Sequence, residues 1–338
     1  MRDDPATILV YSGRELMGDG FMKLPFLAAL RGTWPGARIT WLAGRGRSVY
    51  AGPLQALVGA YLDEVLEDAG VGASVAELLR RPLGGRPFEL VIDSQRGVKT
   101  ALILRRIPHR LFVSAAAGFW LSDRRPQAGY RRPPALAAQL LDLVRLAAGR
   151  APELAPRPAL PEVFAAAAKV ALPAGGPLLG LVPGAGGRHK CWPRQRYVEL
   201  AQAELKRGLR IAFILGPEEE GWLEELREAV PQALFPLQDA RVAKEIAASP
   251  LLTLALGERL ALALANDCGT AHMLAAAGCP LVSLFGPSSA DKFAPLAPDL
   301  TILRAQDFGG SEMERIPLAA VARALAAKLA KASGLNAS

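Results

Sequence analysis

Three cysteines in 338 residues, Cys191, Cys268 and Cys279, are too few and too scattered for a disulfide framework. With no C-x-x-C pair there is no cysteine zinc site either, and this usage fits a reducing, cytoplasmic compartment. The three histidines show no H-E-x-x-H or other ligand spacing, so no catalytic metal and no cofactor are expected. No run of about 20 apolar residues is present, because the longest greasy stretch, Leu251 to Ala265, is broken by Gly257-Glu258-Arg259. The start, Met1-Arg2-Asp3-Asp4-Pro5, carries acids where a secretion leader needs net positive charge. A P-loop is missing, and the loop after the first strand lacks G-x-G-x-x-G, which counts against a nicotinamide dehydrogenase. No repeat of fixed period is visible. No basic stripe interleaved with aromatics and no zinc-finger spacing points to nucleic acid.

What is present fits a soluble, two-domain globular protein: 338 residues, 51% hydrophobic and 21% charged, with Gly 33 and Pro 27 scattered as turn residues. The formal charge of +8 is unevenly placed. Residues 1–170 hold 23 Lys and Arg against 15 Asp and Glu, whereas residues 171–338 hold 17 of each. A basic first half attracts an anionic partner: a phosphorylated substrate, an acidic membrane surface or a nucleic acid.

Short apolar runs rich in β-branched residues alternate with helical patterns. Thr7–Tyr11, Arg38–Leu42, Phe88–Asp93 and Arg110–Ser114 read as strands, and such alternation predicts a parallel sheet. From Pro126 to Pro173 prolines crowd around one helical stretch, Ala135–Ala147, as in an interdomain connection. The pattern then restarts: strand Leu178–Val182, a glycine-rich loop, a helix from Arg194, strand Arg210–Leu215 and an acidic helix from Glu218. A strand ending near Ala265, a helix from Thr270 and strand Pro280–Phe285 come next. The expected architecture is α/β: two Rossmann-like doubly wound domains, residues 1–160 and 174–315. An amphipathic helix in 316–338 is placed to pack across the domain boundary.

Ligands of open parallel sheets bind at the carboxyl ends of strands, and four loops there hold more chemistry than a turn requires. After the first strand, Ser12-Gly13-Arg14-Glu15-Leu16-Met17-Gly18-Asp19-Gly20 precedes a helix over Phe21–Leu30. Asp19 there is either a helix N-cap or a general base for an attacking hydroxyl. In Pro183-Gly184-Ala185-Gly186-Gly187-Arg188-His189-Lys190-Cys191-Trp192-Pro193, three glycines and two cations outline a phosphate cradle, closed by a proline at the first position of a helix. Gly216-Pro217-Glu218-Glu219-Glu220 offers acids that complement a helix dipole, one of which could instead hold ribose hydroxyls. Asn266-Asp267-Cys268-Gly269-Thr270-Ala271-His272 and Phe285-Gly286-Pro287-Ser288-Ser289 complete the set. The Gly269 and Thr270 amides can receive a diphosphate, Asp267 can brace the loop, and His272 reads as a packed core histidine.

These motifs, in this order and over nearly the whole chain, resemble the ADP-heptose:lipopolysaccharide heptosyltransferases of glycosyltransferase family 9. They are Gly18-Asp19 with Pro25, Pro183-Gly184 leading to Lys190-x-Trp192-Pro193, Gly216-Pro217-Glu218, Asn266-Asp267-x-Gly269-Thr270-x-His272 and Phe285-Gly286-Pro287. The resemblance implies a GT-B fold with a central cleft and an inverting, metal-independent transfer. It also implies a donor such as ADP-L-glycero-D-manno-heptose, held mainly by the C-terminal domain. It makes Asp19 the base, Lys190 the grip on donor phosphate and Glu218 the ribose contact. Asp267, Gly269 and Thr270 line the diphosphate, with Gly184, Arg188 and Ser288 also counted on the donor side and Ser12 and Lys23 on the acceptor side. Two departures fall near the acceptor: Glu15-Leu16-Met17 stands where the family has Ser-Ser-Leu or Ser-Ser-Met, and Lys23 where it has histidine. The implied partners are the nucleotide sugar and an anionic glycolipid met at the cytoplasmic face of the inner membrane. Rival readings are another GT-B transferase or a nucleotide-sugar epimerase, and a non-catalytic nucleotide-binding relative.

Overall fold

The computed structural model describes residues 4–13, 15–44, 46–72 and 74–332. Met1–Asp3 of the N-terminal reading, Arg14 of the first loop and residues 333–338 of the terminal segment lie outside the described residues. The chain divides into two compact units, Met1–Ala159 and Leu160–Ser338.

In the first unit β1 (Thr7–Ser12), β2 (Arg38–Ala43), β3 (Glu64–Leu66), β4 (Phe88–Asp93) and β5 (His109–Ser114) form a sheet of order β3-β2-β1-β4-β5, every pair parallel. Four of these strands match the apolar runs read from the sequence. β3 has no such run, because it is three residues long, half-buried and opens on a glutamate. The helices of this unit are α1 (Met17–Met22), α2 (Leu24–Thr33), α3 (Gln55–Val58), α4 (Val98–Leu104) and α5 (Leu136–Ala148). Where one helix is expected over Phe21–Leu30 there are two, α1 beginning earlier despite Gly18 and Gly20. The core is built from β-strand residues such as Leu9, Val91 and Phe112 with Ala101 and Ile103 of α4.

The second unit holds α6 (Glu162–Ala171), β6 (Leu178–Val182), α7 (Arg194–Lys206), β7 (Arg210–Phe213), α8 (Leu223–Ala229), α9 (Lys244–Ala247), α10 (Pro250–Gly257), β8 (Leu262–Asn266), α11 (Gly269–Ala276), β9 (Leu281–Phe285), α12 (Ala290–Phe293), β10 (Leu300–Arg304) and α13 (Leu318–Ala332). The sheet order is β10-β9-β8-β6-β7, again parallel throughout. Beyond β7, Leu234 forms a single parallel bridge to Ala212, with backbone bonds at 2.8 and 2.9 Å. That bridge stands where β3 stands in the first unit. The greasy stretch Leu251–Ala265 is the fully buried α10 followed by β8. Val321 and Leu325 of α13 belong to the second unit's core, against β8, β9 and α7.

The proline-rich stretch is less of a connection than its composition suggests. α5 packs on α2 and β5. Ala155 then donates its amide to the Ala28 carbonyl (2.9 Å), and Tyr61 Oη donates to the Pro156 carbonyl (3.0 Å). Those bonds hold the chain to the first unit until close to the boundary, while α6 already packs on α10 of the second.

Asp93 ends β4 with its carboxylate fully buried between Tyr11 and Ser114. Burial pushes its carboxyl up to about 7, against the opposing pull of bonds from Ser114 Oγ (2.8 Å) and the Gln95 amide (2.9 Å). The folded protein therefore holds this proton at pH values where the unfolded chain has released it. The stabilisation is fully present below about pH 4 and is lost as pH rises through 7, a span on the order of 4 kcal/mol. Asp93→Asn should flatten that part of the stability–pH curve in urea unfolding. A variant curve that still falls as steeply as the parent's between about pH 4 and 8 rules this assignment out.

Candidate functional site

In each sheet the strand order reverses beside the first strand, between β1 and β4 and between β6 and β8, and ligands of such sheets bind where the flanking loops diverge.

At the first switch point the loop after β1 is fastened from within. Lys23 Nζ donates to Ser12 Oγ (2.7 Å) and to Glu15 Oε1 (3.1 Å), and Ser48 Oγ donates to Glu15 Oε2 (2.9 Å). Ser12, Glu15, Lys23 and Ser48 are all buried. Ser12 and Lys23, read from the sequence as acceptor-side residues, are tied to each other and to Glu15 in an internal ion-pair network. Tyr50 Oη donates to the Gly20 carbonyl (2.8 Å), pinning α1, and burial with the nearby Glu15 and Asp19 charges raises its phenol well above the ordinary value.

Asp19 is not the N-cap, which is Leu16; it is the third residue of α1. Its Oδ2 accepts the Leu16 amide (3.1 Å), so it does the work of a cap from inside the helix, while Oδ1 has no partner among the described residues. Asp19 is half-buried at the carboxyl edge. A carboxylate with one oxygen fixed and one open can take a proton from a bound hydroxyl. Gln95, after β4, is not among the residues read from the sequence. A Cβ built on Gly13 would meet its amide at 3.6 Å, and that amide makes no side-chain hydrogen bond among the described residues. The rule that loops follow strand ends, applied to Phe88–Asp93 as it is to the first strand, singles it out.

The second switch point is organised by Asn266, which is fully buried at the end of β8. Its Oδ1 accepts the Trp192 amide (3.1 Å), and its Nδ2 donates to the carbonyls of Pro183 (2.9 Å) and Gly184 (3.2 Å). The loops after β6 and β8 are thereby one body. Next to this clamp Lys190 Nζ lies 3.1 Å from Asp267 Oδ2, with Lys190 partly exposed. Arg188 is exposed. Pro193 stands one residue earlier than expected, as the cap before α7.

The glycines of this loop do different jobs. A Cβ at Gly184 would fall 2.1 Å from the Glu219 carboxyl carbon, so the missing side chain makes room for a protein carboxylate and not for a ligand. At Gly187 the space is filled by the His189 ring, and only Gly186 of the three has open surroundings. Glu219 is buried and accepts the Gly216 amide (3.0 Å), with burial raising its carboxyl above the usual range. Glu218 beside it is exposed. The helix expected from Glu218 opens as a tighter 3-10 turn, Pro217–Trp222, before α8.

α11 begins at Gly269 with Cys268 as its cap, which makes no side-chain cap hydrogen bond, although the nearby Thr270 and Ala271 amides favour its thiolate. Burial nonetheless pushes the Cys268 and Cys279 thiols up to about 12, which keeps both protonated and non-nucleophilic near neutrality. Ser288 Oγ is buried with no hydrogen-bond partner among the described residues. Among those residues no three His, Cys, Asp or Glu side chains gather as metal ligands would. No described helix is long and apolar enough to cross a membrane.

Two parallel sheets, each with a tied, glycine-bearing switch point, define a doubly wound α/β protein. Residues 77–316 match the model of glycosyltransferase family 9 (heptosyltransferase), and the chain belongs to that family. It is 32% identical over 131 residues to lipooligosaccharide heptosyltransferase 2 of Haemophilus influenzae, an alignment covering 38% of this chain and 36% of that protein. The match thus spans little more than a third of the curated relative. The ADP-heptose lipopolysaccharide heptosyltransferase II of Escherichia coli has a similar structure: TM-score 0.65, 21% identity, 97% of this chain and 99% of that one. A family 9 glycosyltransferase of Veillonella parvula superposes with TM-score 0.70 at 18% identity, covering 98% and 99%. The fold is GT-B in its two parallel-sheet α/β domains.

The Asn266 clamp is open to test. Asn266→Ala leaves one buried amide and two carbonyls unpaired and should cost about 2–4 kcal/mol in urea unfolding. Asn266→Asp, which faces the same carbonyls with a carboxylate, should cost at least as much. Parent-like stability of both variants would show that the two loops are held by something other than this side chain.

Proposed function

We propose that this protein is an inverting, metal-independent glycosyltransferase that moves heptose from ADP-L-glycero-D-manno-heptose to a lipopolysaccharide core acceptor. The observation that carries the reading is the Lys190–Asp267 bridge at 3.1 Å, which fixes a cation beside the N-terminus of α11. A diphosphate there would meet Lys190, the exposed Arg188 and the Gly269 and Thr270 amides at the start of α11, donors that a phosphate oxygen accepts well. Glu218, exposed where Glu219 is not, is left for the ribose. The adenine and the heptose are supported by the name of the Escherichia coli relative, an ADP-heptose heptosyltransferase.

In the proposed step an acceptor hydroxyl oxygen attacks the anomeric carbon as Asp19 Oδ1 takes its proton. The bond from that carbon to the phosphate oxygen breaks on the opposite face, inverting the centre, and ADP departs with both electrons. Lys190, Arg188 and the α11 amides stabilise the charge that gathers on the diphosphate, the task a divalent metal performs in other transferases. Gln95, beside Gly13, is placed to hold the acceptor. The acceptor is an anionic glycolipid, in keeping with the basic first half of the chain.

Calorimetry with ADP, UDP and GDP should show selective ADP binding, weakened about 10- to 100-fold by Lys190→Ala through loss of a charge-assisted bond. Asp19→Asn should keep ADP affinity and lose about 10²- to 10⁴-fold in turnover. Preference for UDP or GDP would discard ADP-heptose, and donor turnover without any acceptor would replace transfer by epimerisation.

A further inference from the structure

Of the seven large apolar side chains exposed among the described residues of the first unit, Leu16 and Leu154 stand apart and the other five fall on adjoining elements. Val75 and Leu79 lie on a 3-10 turn, Val75–Leu79, that packs against α4. Val98 and Leu102 stand one turn apart on α4 itself. Trp120 follows a second 3-10 turn, Ala116–Phe119, that also packs against α4. Leu79 is 86% exposed and Trp120 74%, and with the other three they make up half of the large hydrophobic side chains exposed among the described residues. Single exposed hydrophobics are ordinary, but five on three adjoining elements form a surface.

The exposed charges on the same segments are predominantly positive, and Glu77 of the turn is part-buried and accepts the Gly72 and Ser74 amides. Within residues 74–81, 94–106 and 115–125 the exposed charged residues are seven cations, Arg80, Arg81, Arg96, Lys99, Arg105, Arg106 and Arg125, and one acid, Asp123. Asp123 is itself paired with Arg105 at 3.0 Å. The Arg125 guanidinium lies 5.8 Å from the Trp120 ring centroid, an aromatic and a cation presented together. Aliphatic side chains ringed by arginine match an interface whose outer layer is anionic and whose interior is hydrocarbon. A nucleic acid would use the cations and leave Leu79 and Val75 unused.

We infer that the Val75–Leu79 turn, α4 and Trp120 form a docking surface for an anionic lipid membrane. Leu79 and Trp120 enter the headgroup–acyl boundary while Arg80, Arg81, Arg96 and Lys99 bind lipid phosphates. The inference rests on the reading that the acceptor is an anionic glycolipid. Val98 and Lys99 open the helix that comes after β4, so the surface adjoins the carboxyl edge that bears Asp19 and Gln95.

Flotation of the full chain with phosphatidylcholine vesicles, and with vesicles in which about half the lipid is phosphatidylglycerol, tests this directly. The protein should float only with the anionic vesicles, with a blue shift of tryptophan emission, and high salt should release it. Arg80→Glu with Arg81→Glu should lower partitioning at least about tenfold. Leu79→Ser should lower it severalfold, and Trp120→Phe should abolish most of the blue shift. ADP binding, measured on each variant, verifies the fold and should not change. Equal flotation with neutral vesicles, no flotation, or a Leu79-dependent dimer in sedimentation would each overturn the membrane assignment. Failure of the parent to bind ADP while it still floats would instead overturn the transferase reading and leave this surface standing.

Discussion

The second unit turns on one buried amide. Asn266 spends no atom on solvent: its oxygen takes the Trp192 amide and its nitrogen gives to the Pro183 and Gly184 carbonyls. Only a side chain with a donor and an acceptor on one planar group satisfies both loops, and a buried loop without such a partner would leave its peptide groups unpaired. Neighbouring residues along the chain inherit the position. Trp192, held at its backbone, donates its ring N–H to the Ile316 carbonyl (2.9 Å), and Tyr197 Oη donates to the Val182 carbonyl (3.0 Å). Lys190 and Asp267 are each within two residues of this clamp, so their separation is set by the interior and not by the flexibility of a surface lysine.

The first unit reaches a similar end with charge. A buried pair such as Lys23 and Glu15 is weak evidence for stability, since desolvation offsets most of the attraction, yet losing one partner costs about 3–5 kcal/mol. What the pair supplies is position. Lys23 ends α1, Glu15 precedes it, Ser12 ends β1 and Ser48 comes after β2, so three segments are fastened around the turn that carries Asp19. Ser12 and Lys23 hold the loop from within, while Asp19 on the same loop keeps one carboxylate oxygen open.

Runs with a strong local signal were legible: the β-branched strands Thr7–Ser12 and Phe88–Asp93, the glycine loop after β6 and the Asn-Asp start of α11. β3 and β10 were not, being edge strands that are only half-buried and so free of the hydrophobic pattern that burial imposes. Asp19 was correctly placed at a helix start, but which of two neighbouring turns begins the helix depends on Tyr50 and Lys23, outside that turn. Three consecutive glutamates, Glu218 to Glu220, look alike in sequence. Only the 3-10 geometry turns Glu219 inward against Gly184 and leaves Glu218 outside. Gly184 shows the same limit, since a glycine that admits a ligand and one that admits a neighbouring carboxylate have one letter.

The two units distribute their charge differently. The second half is balanced, with 17 charges of each sign, and positions a few cations next to amides at one switch point. A single bond to be broken needs a local, oriented donor set, which net charge does not provide. The first half carries the whole surplus of +8, and seven of its exposed cations lie on or next to one helix and the two turns beside it. A diffuse field of that kind orients little but draws in a large anionic partner and weakens steeply with salt. The common strand order, with Leu234 bridging Ala212 where β3 lies in the first unit, shows that both units are built on one framework. The difference lies entirely in what the loops at the carboxyl edges, and the helix faces beside them, expose.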